Sequence, residues 1–204
     1  MLGGVLLALW PLGAHFVGFG EPESSERRAY ETYNRLVMPV LVMSLLAGLL
    51  GLRIKEKGIY GQLGGTGFVF VVAGLLLTLA GNIAEFWLFT PYTDAPERLR
   101  NSAWGAFLLG WVIVYIGAAL LGIATMRAKV LPVLGPLLLI ISLPVGLAVF
   151  FLVKAIGFGN WGGLAVTSLH GAGWGLVGYA VLTRPGEHGR PNRVRKVSTH
   201  GHAE

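Results

Sequence analysis

The sequence contains no cysteine and few charged residues. Without cysteine there can be no disulfides, no thiolate metal ligands and no thiol nucleophile. Charged residues make up 13% of the 204 residues and hydrophobic residues 54%, whereas a soluble domain usually carries about 25% charged residues. A water-soluble fold would have too little polar surface to cover itself, so the composition predicts an integral membrane protein.

Signature motifs of the common catalytic sites are also missing. The chain has no HExxH, no GxxxxGK[ST], no GxSxG and no cluster of carboxylates suited to divalent metals. We therefore predict no catalytic residue and no metal site, and we expect a protein that is not an enzyme.

Long apolar stretches make up most of the sequence. A helix needs roughly 20 mostly apolar residues to cross the hydrocarbon core of a bilayer. Six stretches reach that length, at residues 2–20, 34–52, 66–90, 102–126, 131–153 and 161–183. The first lacks the cationic start and the cleavage site of a signal peptide, so we expect it to be retained. The predicted fold is all-α: a polytopic membrane bundle of six transmembrane helices over residues 1–183.

The distribution of Lys and Arg predicts the orientation, because cytoplasmic loops carry the excess of these residues. With both termini in the cytoplasm, ten of the sixteen cations lie inside and six outside. Residues 184–204 then form a basic cytoplasmic tail without apolar periodicity, which we expect to be disordered. Arg outnumbers Lys, and Gly, Ala and Leu are abundant, which favours a prokaryotic plasma (inner) membrane.

The basic inner face indicates the partners. Cations near a bilayer surface attract anionic lipid, at about 1 kcal/mol per residue. Nucleic acid explains the charge less well, because the protein is predicted to lie in a membrane and only the excess of cations lies on one side of it. Other membrane subunits or a second copy of the chain are further candidate partners.

Small residues recur at helical spacing and mark the packing faces of three predicted helices. Glycine numbers 31 of 204 residues, about twice its usual share of about 7%, and small residues let membrane helices approach closely. The faces comprise Gly4, Ala8, Pro11, His15 and Gly18 on the first helix, Gly67, Gly74, Thr78, Gly81 and Glu85 on the third, and Gly163, Thr167, His170 and Trp174 on the sixth. These faces predict that the first, third and sixth helices meet.

Each of these faces also carries an ionisable side chain, which is costly inside a membrane. The predicted polar site lies in the outer half of the membrane and contains Glu85, His170, His15, Asn82 and Lys154. In the competing interpretation Glu85 and Lys154 form an ion pair, and each histidine bonds a backbone carbonyl in a tightly packed bundle.

We favour a protein without a cofactor. Two interpretations with a cofactor remain open. Trp104, Trp111 and Tyr115 form an aromatic stripe on the fourth helix, where a quinone or carotenoid would stack if the stripe is not simply packing. His15 and His170 on different helices are also compatible with bis-His ligation of haem b, provided that they lie at similar depths.

The sequence thus leads to three functional hypotheses. The first is a small transport or accessory component with a polar intramembrane site in the outer half. The second is a purely structural subunit of a larger membrane complex. The third is a haem-binding or quinone-binding redox subunit.

Overall fold

All regular elements that the computed structural model describes are helical. It describes residues 1–17, 24–55, 60–89, 96–129, 131–156 and 162–183. The helices are α1 (Leu2–Val17), α2 (Ser25–Lys55), α3 (Gly61–Ile83) with a π-helical turn (Ala84–Leu88), α4 (Glu97–Ala128), α5 (Leu134–Ala155) and α6 (Gly162–Thr183). The tail predicted at residues 184–204 lies outside the described residues.

Four of the described helical stretches are long and apolar enough to cross a membrane. They are Ser25–Ile54, Gly61–Leu88, Glu97–Ala128 and Leu134–Ala155, and a shorter apolar helix covers Leu2–Ala14. The all-helical prediction is confirmed over the described residues, and the apolar helices are compatible with a multi-pass integral membrane protein.

The six helices form a closed ring in which each packs against its neighbours in sequence and α1 also packs against α6. Neighbouring helices run antiparallel. In the α5–α6 pair, for example, Gly135 lies against Val177 near one end and Gly146 against Val166 toward the other. A further, smaller contact joins α2 to α6.

The ring has two chemically different ends. At the end that we call the Glu85 end, α1, α3 and α5 finish and α2, α4 and α6 begin. At the opposite end, the Arg53 end, α2 and α4 finish. All acidic residues that the structure describes belong to the Glu85 end, namely Glu26, Glu31, Glu85 and Glu97. At the Arg53 end the described termini of α2 and α4 carry basic residues, and no described helix terminus there carries an acidic one.

Close backbone contact joins α3 to α4. A Cβ added to Gly74 would lie 2.7 Å from the carbonyl oxygen of Gly110, and one added to Gly67 would lie 2.8 Å from that of Gly117. Such contacts are shorter than carbon and oxygen atoms tolerate, so these positions require glycine. The small-residue face of the third predicted helix therefore packs on α4.

The face predicted for the first helix packs on α6, at residues beside the predicted face of the sixth helix rather than on the side that carries His170. A Cβ added to Gly4 would lie 2.7 Å from the carbonyl oxygen of Gly171, and the Ser168 hydroxyl donates a 2.9 Å hydrogen bond to the Ala8 carbonyl. Because α3 packs mainly on α4 and α2, the three helices that we expected to meet do not share one interface.

Helix α2 begins at Ser25, nine residues before the start that hydropathy predicts. The Ser24 hydroxyl accepts a 3.0 Å hydrogen bond from the backbone N–H of Arg27, which caps the first turn. Arg27 and Glu31 then form an ion pair one turn apart. A search for apolar windows misses such a start because the extra turns are polar.

Candidate functional site

The π-helical turn extends α3 at the Glu85 end. Its backbone bond runs from the Phe89 N–H to the Ala84 carbonyl at 2.9 Å, five residues apart. Turns of this kind interrupt regular α-helices and are frequent at functional sites. Glu85 is half-buried within this turn, at the point where the helix geometry changes.

Three polar residues lie in line along α3, at steps of four and three residues: Thr78, Asn82 and Glu85. We call them the α3 polar line. Thr78 and Asn82 are completely buried, with 0% exposure. The Thr78 hydroxyl, both amide atoms of Asn82 and Glu85 Oε2 have no hydrogen-bond partner among the residues that the structure describes.

That lack of partners is energetically costly. Burying an amide or hydroxyl without a hydrogen bond costs about 1–3 kcal/mol in proteins, and several kcal/mol in hydrocarbon. Asn34, a second buried asparagine, shows the usual solution: its Oδ1 accepts a 3.1 Å bond from Trp10 Nε1, and its Nδ2 donates a 2.9 Å bond to the Tyr30 carbonyl. The Asn82 amide differs in having both of its polar atoms available to a ligand or to water.

The first turns of α2 supply the charged surroundings of Glu85. Arg27 Nε lies 3.0 Å from Glu31 Oε1, and the Glu31 side chain is 7% exposed. Both residues are close enough to Glu85 to interact with it electrostatically. Because Arg27 and Glu31 largely neutralise each other, Glu85 adds an acidic group that this ion pair does not balance.

Further contacts fix α2 against the π-helical turn. Arg35 Nε donates a 2.8 Å hydrogen bond to the Phe86 carbonyl, and its guanidinium lies 5.5 Å from the Trp87 ring centroid. Tyr30 meets Phe86 edge to face at 6.2 Å between ring centroids. The Phe86 carbonyl lies at an irregular helix end, where backbone groups lack partners within the helix, and the Arg35 side chain supplies the missing donor.

One of the predicted site residues, Lys154, forms no ion pair with Glu85 among the described residues. Lys154 is exposed near the end of α5, a helix that packs against α4 and α6. The ion pair that the structure shows near Glu85 joins Arg27 to Glu31 instead. His15 belongs to α1, but its side chain lies outside the described residues.

His170 belongs to a separate buried cluster in the middle of the ring. Its Nδ1 lies 2.9 Å from Ser142 Oγ, and its Nε2 accepts a 3.0 Å bond from Trp174 Nε1. A neutral imidazole protonated on Nδ1 satisfies both contacts, because Ser142 Oγ also donates to the Leu139 carbonyl. Both ring nitrogens are thus engaged, which leaves no lone pair for a metal unless the Trp174 bond breaks.

The predicted aromatic stripe leads toward this cluster. Trp104 is exposed and stacks on Phe107 at 5.2 Å, whereas Trp111 and Tyr115 are buried. The Tyr115 ring lies 4.2 Å from the His170 ring, measured between centroids. Most of the stripe is therefore interior packing between α4 and α6, and Trp104 alone of its three predicted residues presents a substantial surface.

Hydropathy alone does not predict the polar residues of α2 as part of a helix, because they lie between two apolar stretches, where an outer loop is expected. A usable signal was present: Arg27, Glu31 and Asn34 recur at four and three residues and continue into the apolar part of the helix. Among the described residues no group of three or more His, Asp or Glu side chains could hold a metal ion.

Comparisons of this chain with protein-family models, with curated proteins and with solved structures found no match.

Proposed function

We propose that the chain is a small, non-catalytic transport or accessory component, and that its site is the α3 polar line. In this proposal it crosses a prokaryotic plasma membrane six times, with the Arg53 end in the cytoplasm. Helix α6 runs alongside α5, which is long and apolar enough to cross, and α1 runs alongside α6. The distribution of cations supports the orientation.

One observation carries the assignment of the site: the fully buried Asn82 amide has neither of its polar atoms satisfied by the described residues. Evolution rarely keeps an uncompensated amide in an apolar interior, because Leu has a similar size and costs nothing there. A bound water or polar solute would supply the missing partners. The half-buried Glu85 lies nearest the end of the ring and is the first group of the line that such a solute would meet.

Replacing Glu85 with Gln tests this site. Gln keeps the size of the side chain but cannot bind and release a proton at neutral pH. Purified protein in vesicles that contain a pH-sensitive dye should show proton uptake, and Glu85→Gln should lower the uptake to the level of protein-free vesicles.

The matched control is Glu97→Gln, which removes an exposed carboxylate at the same end of the ring and should leave uptake unchanged. Thermal stability in detergent separates the hypotheses. A Glu85→Gln protein that loses stability, with no uptake by either protein, would favour the structural hypothesis.

The orientation is tested with single cysteines, which are unambiguous because the chain has none. Ser102→Cys, near the start of α4, should react with a membrane-impermeant thiol reagent added to intact cells. Ala128→Cys, at the end of α4, should react only after the cells are permeabilised. The reverse pattern would place the Arg53 end outside.

A structural role remains the second candidate, and the His170 cluster favours it. The hydrogen bonds that join His170, Ser142 and Trp174 are internal and mutually satisfied, as expected for a packing element that joins α5 to α6; the neighbouring Tyr115 hydroxyl has no partner among the described residues. The redox alternative has less support, because haem ligation would require His170 to give up a hydrogen bond.

A further inference from the structure

Arg27 and Glu31 form an ion pair at the start of α2, a helix that packs on the π-helical turn that carries Glu85. Arg27 Nε donates a 3.0 Å hydrogen bond to Glu31 Oε1. Pairs one turn apart on an exposed helix face contribute little to stability, but here the Glu31 side chain is 7% exposed and the Arg27 side chain 38%. A buried carboxylate is costly without a partner, so Glu31 depends on Arg27.

The Arg27 guanidinium has the means to serve a second carboxylate. Its hydrogen bond to Glu31 uses Nε, whereas a guanidinium carries five N–H donors in a planar fork. The terminal nitrogens can therefore bind another anion. The guanidinium lies 5.7 Å from the Tyr30 ring centroid, and because the side chain is partly exposed it has room to turn.

Glu85 is the carboxylate that such a turn would meet. The Tyr30 ring packs on Phe86, the residue after Glu85, and so joins Arg27 to the π-helical turn. Glu85 interacts electrostatically with Arg27, with Glu31 and with Tyr30. Its Oε2 is buried and has no hydrogen-bond partner among the described residues. A carboxyl oxygen that lacks a partner and a cation with further donors are therefore neighbours.

The other charged groups around the π-helical turn are engaged or point to solvent. Arg35 bonds the Phe86 carbonyl and lies over the Trp87 ring. Helix α4 also packs on the turn, but the charged residues at its start are exposed: Glu97, Arg98 and Arg100. Among the described residues, Arg27 is thus the cation that can pair with Glu85.

We infer that Glu31 and Glu85 compete for Arg27, which makes Arg27 and Glu31 positioning residues of the α3 polar line. The inference rests on the proposed function, in which Glu85 binds and releases a proton. While Glu85 carries its proton, Arg27 pairs with Glu31, as in the structure, because a neutral acid tolerates a buried oxygen without a partner far better than a carboxylate does. When Glu85 releases the proton, Arg27 turns toward the new carboxylate, and its bond to Glu31 weakens.

The stability of purified protein in detergent tests this competition without depending on transport. Glu31→Gln and Glu85→Gln are made singly and together, and the midpoint temperatures of unfolding are compared at mildly alkaline pH. Each single substitution should have a small effect, because Arg27 keeps one carboxylate. The double substitution should lower the midpoint by about 3 °C more than the sum of the two, because Arg27 is then left without a carboxylate.

Two further variants make this comparison specific. In an Arg27→Gln background the effects of Glu31→Gln and Glu85→Gln should add, since the shared cation is gone. Glu26→Gln removes an exposed carboxylate next to Arg27 in sequence, and adjacent residues of a helix do not face each other. Its effect should add to that of Glu85→Gln.

The pH dependence of proton uptake gives a second measurement that a merely structural ion pair would not change. Glu31→Gln removes a nearby negative charge and frees Arg27 for Glu85, so half-maximal uptake in the dye-loaded vesicles should move about one pH unit lower. Arg27→Gln removes the cation that stabilises the Glu85 carboxylate and should move it to higher pH by a similar amount. Glu26→Gln should leave the profile unchanged.

The outcomes separate this inference from the proposed function. Additive stability effects of Glu31→Gln and Glu85→Gln would overturn the competition, and the proposed function would stand if Glu85→Gln still abolishes uptake. Non-additive effects in a protein without proton uptake would support the competition and overturn the proposed function. If the double variant does not fold, the pH profile of Glu31→Gln decides, and an unchanged profile would overturn the inference.

Discussion

Replacing Gly74 with Ala should destabilise the helix ring strongly, even though Ala adds only one methyl group. The added Cβ would lie 2.7 Å from two backbone atoms of α4, the Gly110 oxygen and the Val114 nitrogen. Because these atoms belong to a helix backbone, they cannot rotate away as a side chain would, and α3 must separate from α4. We expect a loss of about 2–4 kcal/mol in the free energy of unfolding, measured by unfolding the purified protein in detergent with a chemical denaturant.

The same substitution at Gly105 makes the comparison specific. An added Cβ there meets nothing within 4 Å, and Ala has the higher helix propensity, so Gly105→Ala should be neutral or slightly stabilising. If Gly74→Ala and Gly105→Ala have equal effects on stability, the backbones of α3 and α4 do not lie as close together at Gly74 as described here.

Replacing Asn82 with Leu should raise stability and abolish proton uptake at the same time. Leu removes a buried amide whose two polar atoms have no partner among the described residues and occupies a similar volume. The expected gain is about 1–3 kcal/mol. The site meanwhile loses the group that would bind water or a polar solute, so uptake in the dye-loaded vesicles should fall to the level of protein-free vesicles.

Asn34→Leu is the informative counterpart, since Asn34 is equally buried but fully hydrogen-bonded. Its substitution leaves the Trp10 indole N–H without its acceptor and should cost about 1–3 kcal/mol. A loss of stability in Asn82→Leu comparable to that in Asn34→Leu would mean that the Asn82 amide has structural partners, and the α3 polar line would lose its functional interpretation.

Hydrophobic length and small-residue spacing were sufficient to predict the helices and the packing faces of several of them. Both follow from local sequence, because a helix of given composition exposes the same face whatever its neighbours are. The local sequence does not determine which helix each face packs against. The Gly67 and Gly74 face was correctly identified as a packing face, but its partner is α4 rather than α1 or α6.

The candidate site shows the same limit. Glu85 and Asn82 stood out in the sequence because polar residues inside an apolar helix are costly. Arg27 and Glu31 did not, since charges beside a hydrophobic stretch look like a loop until the helix cap at Ser24 is known. Which ionisable groups come together depends on the order of the helices around the ring, and this order separates His170 from Glu85.

The contact between α1 and α6 also determines when the ring can be completed. Ser168 bonds the carbonyl of Ala8, a residue 160 positions earlier in the chain. The glycine face of α1 must therefore wait until α6 has been synthesised. During synthesis α2, α3, α4 and α5 can assemble in order, each against the helix before it, so α1 is made before these helices but completes its packing after them.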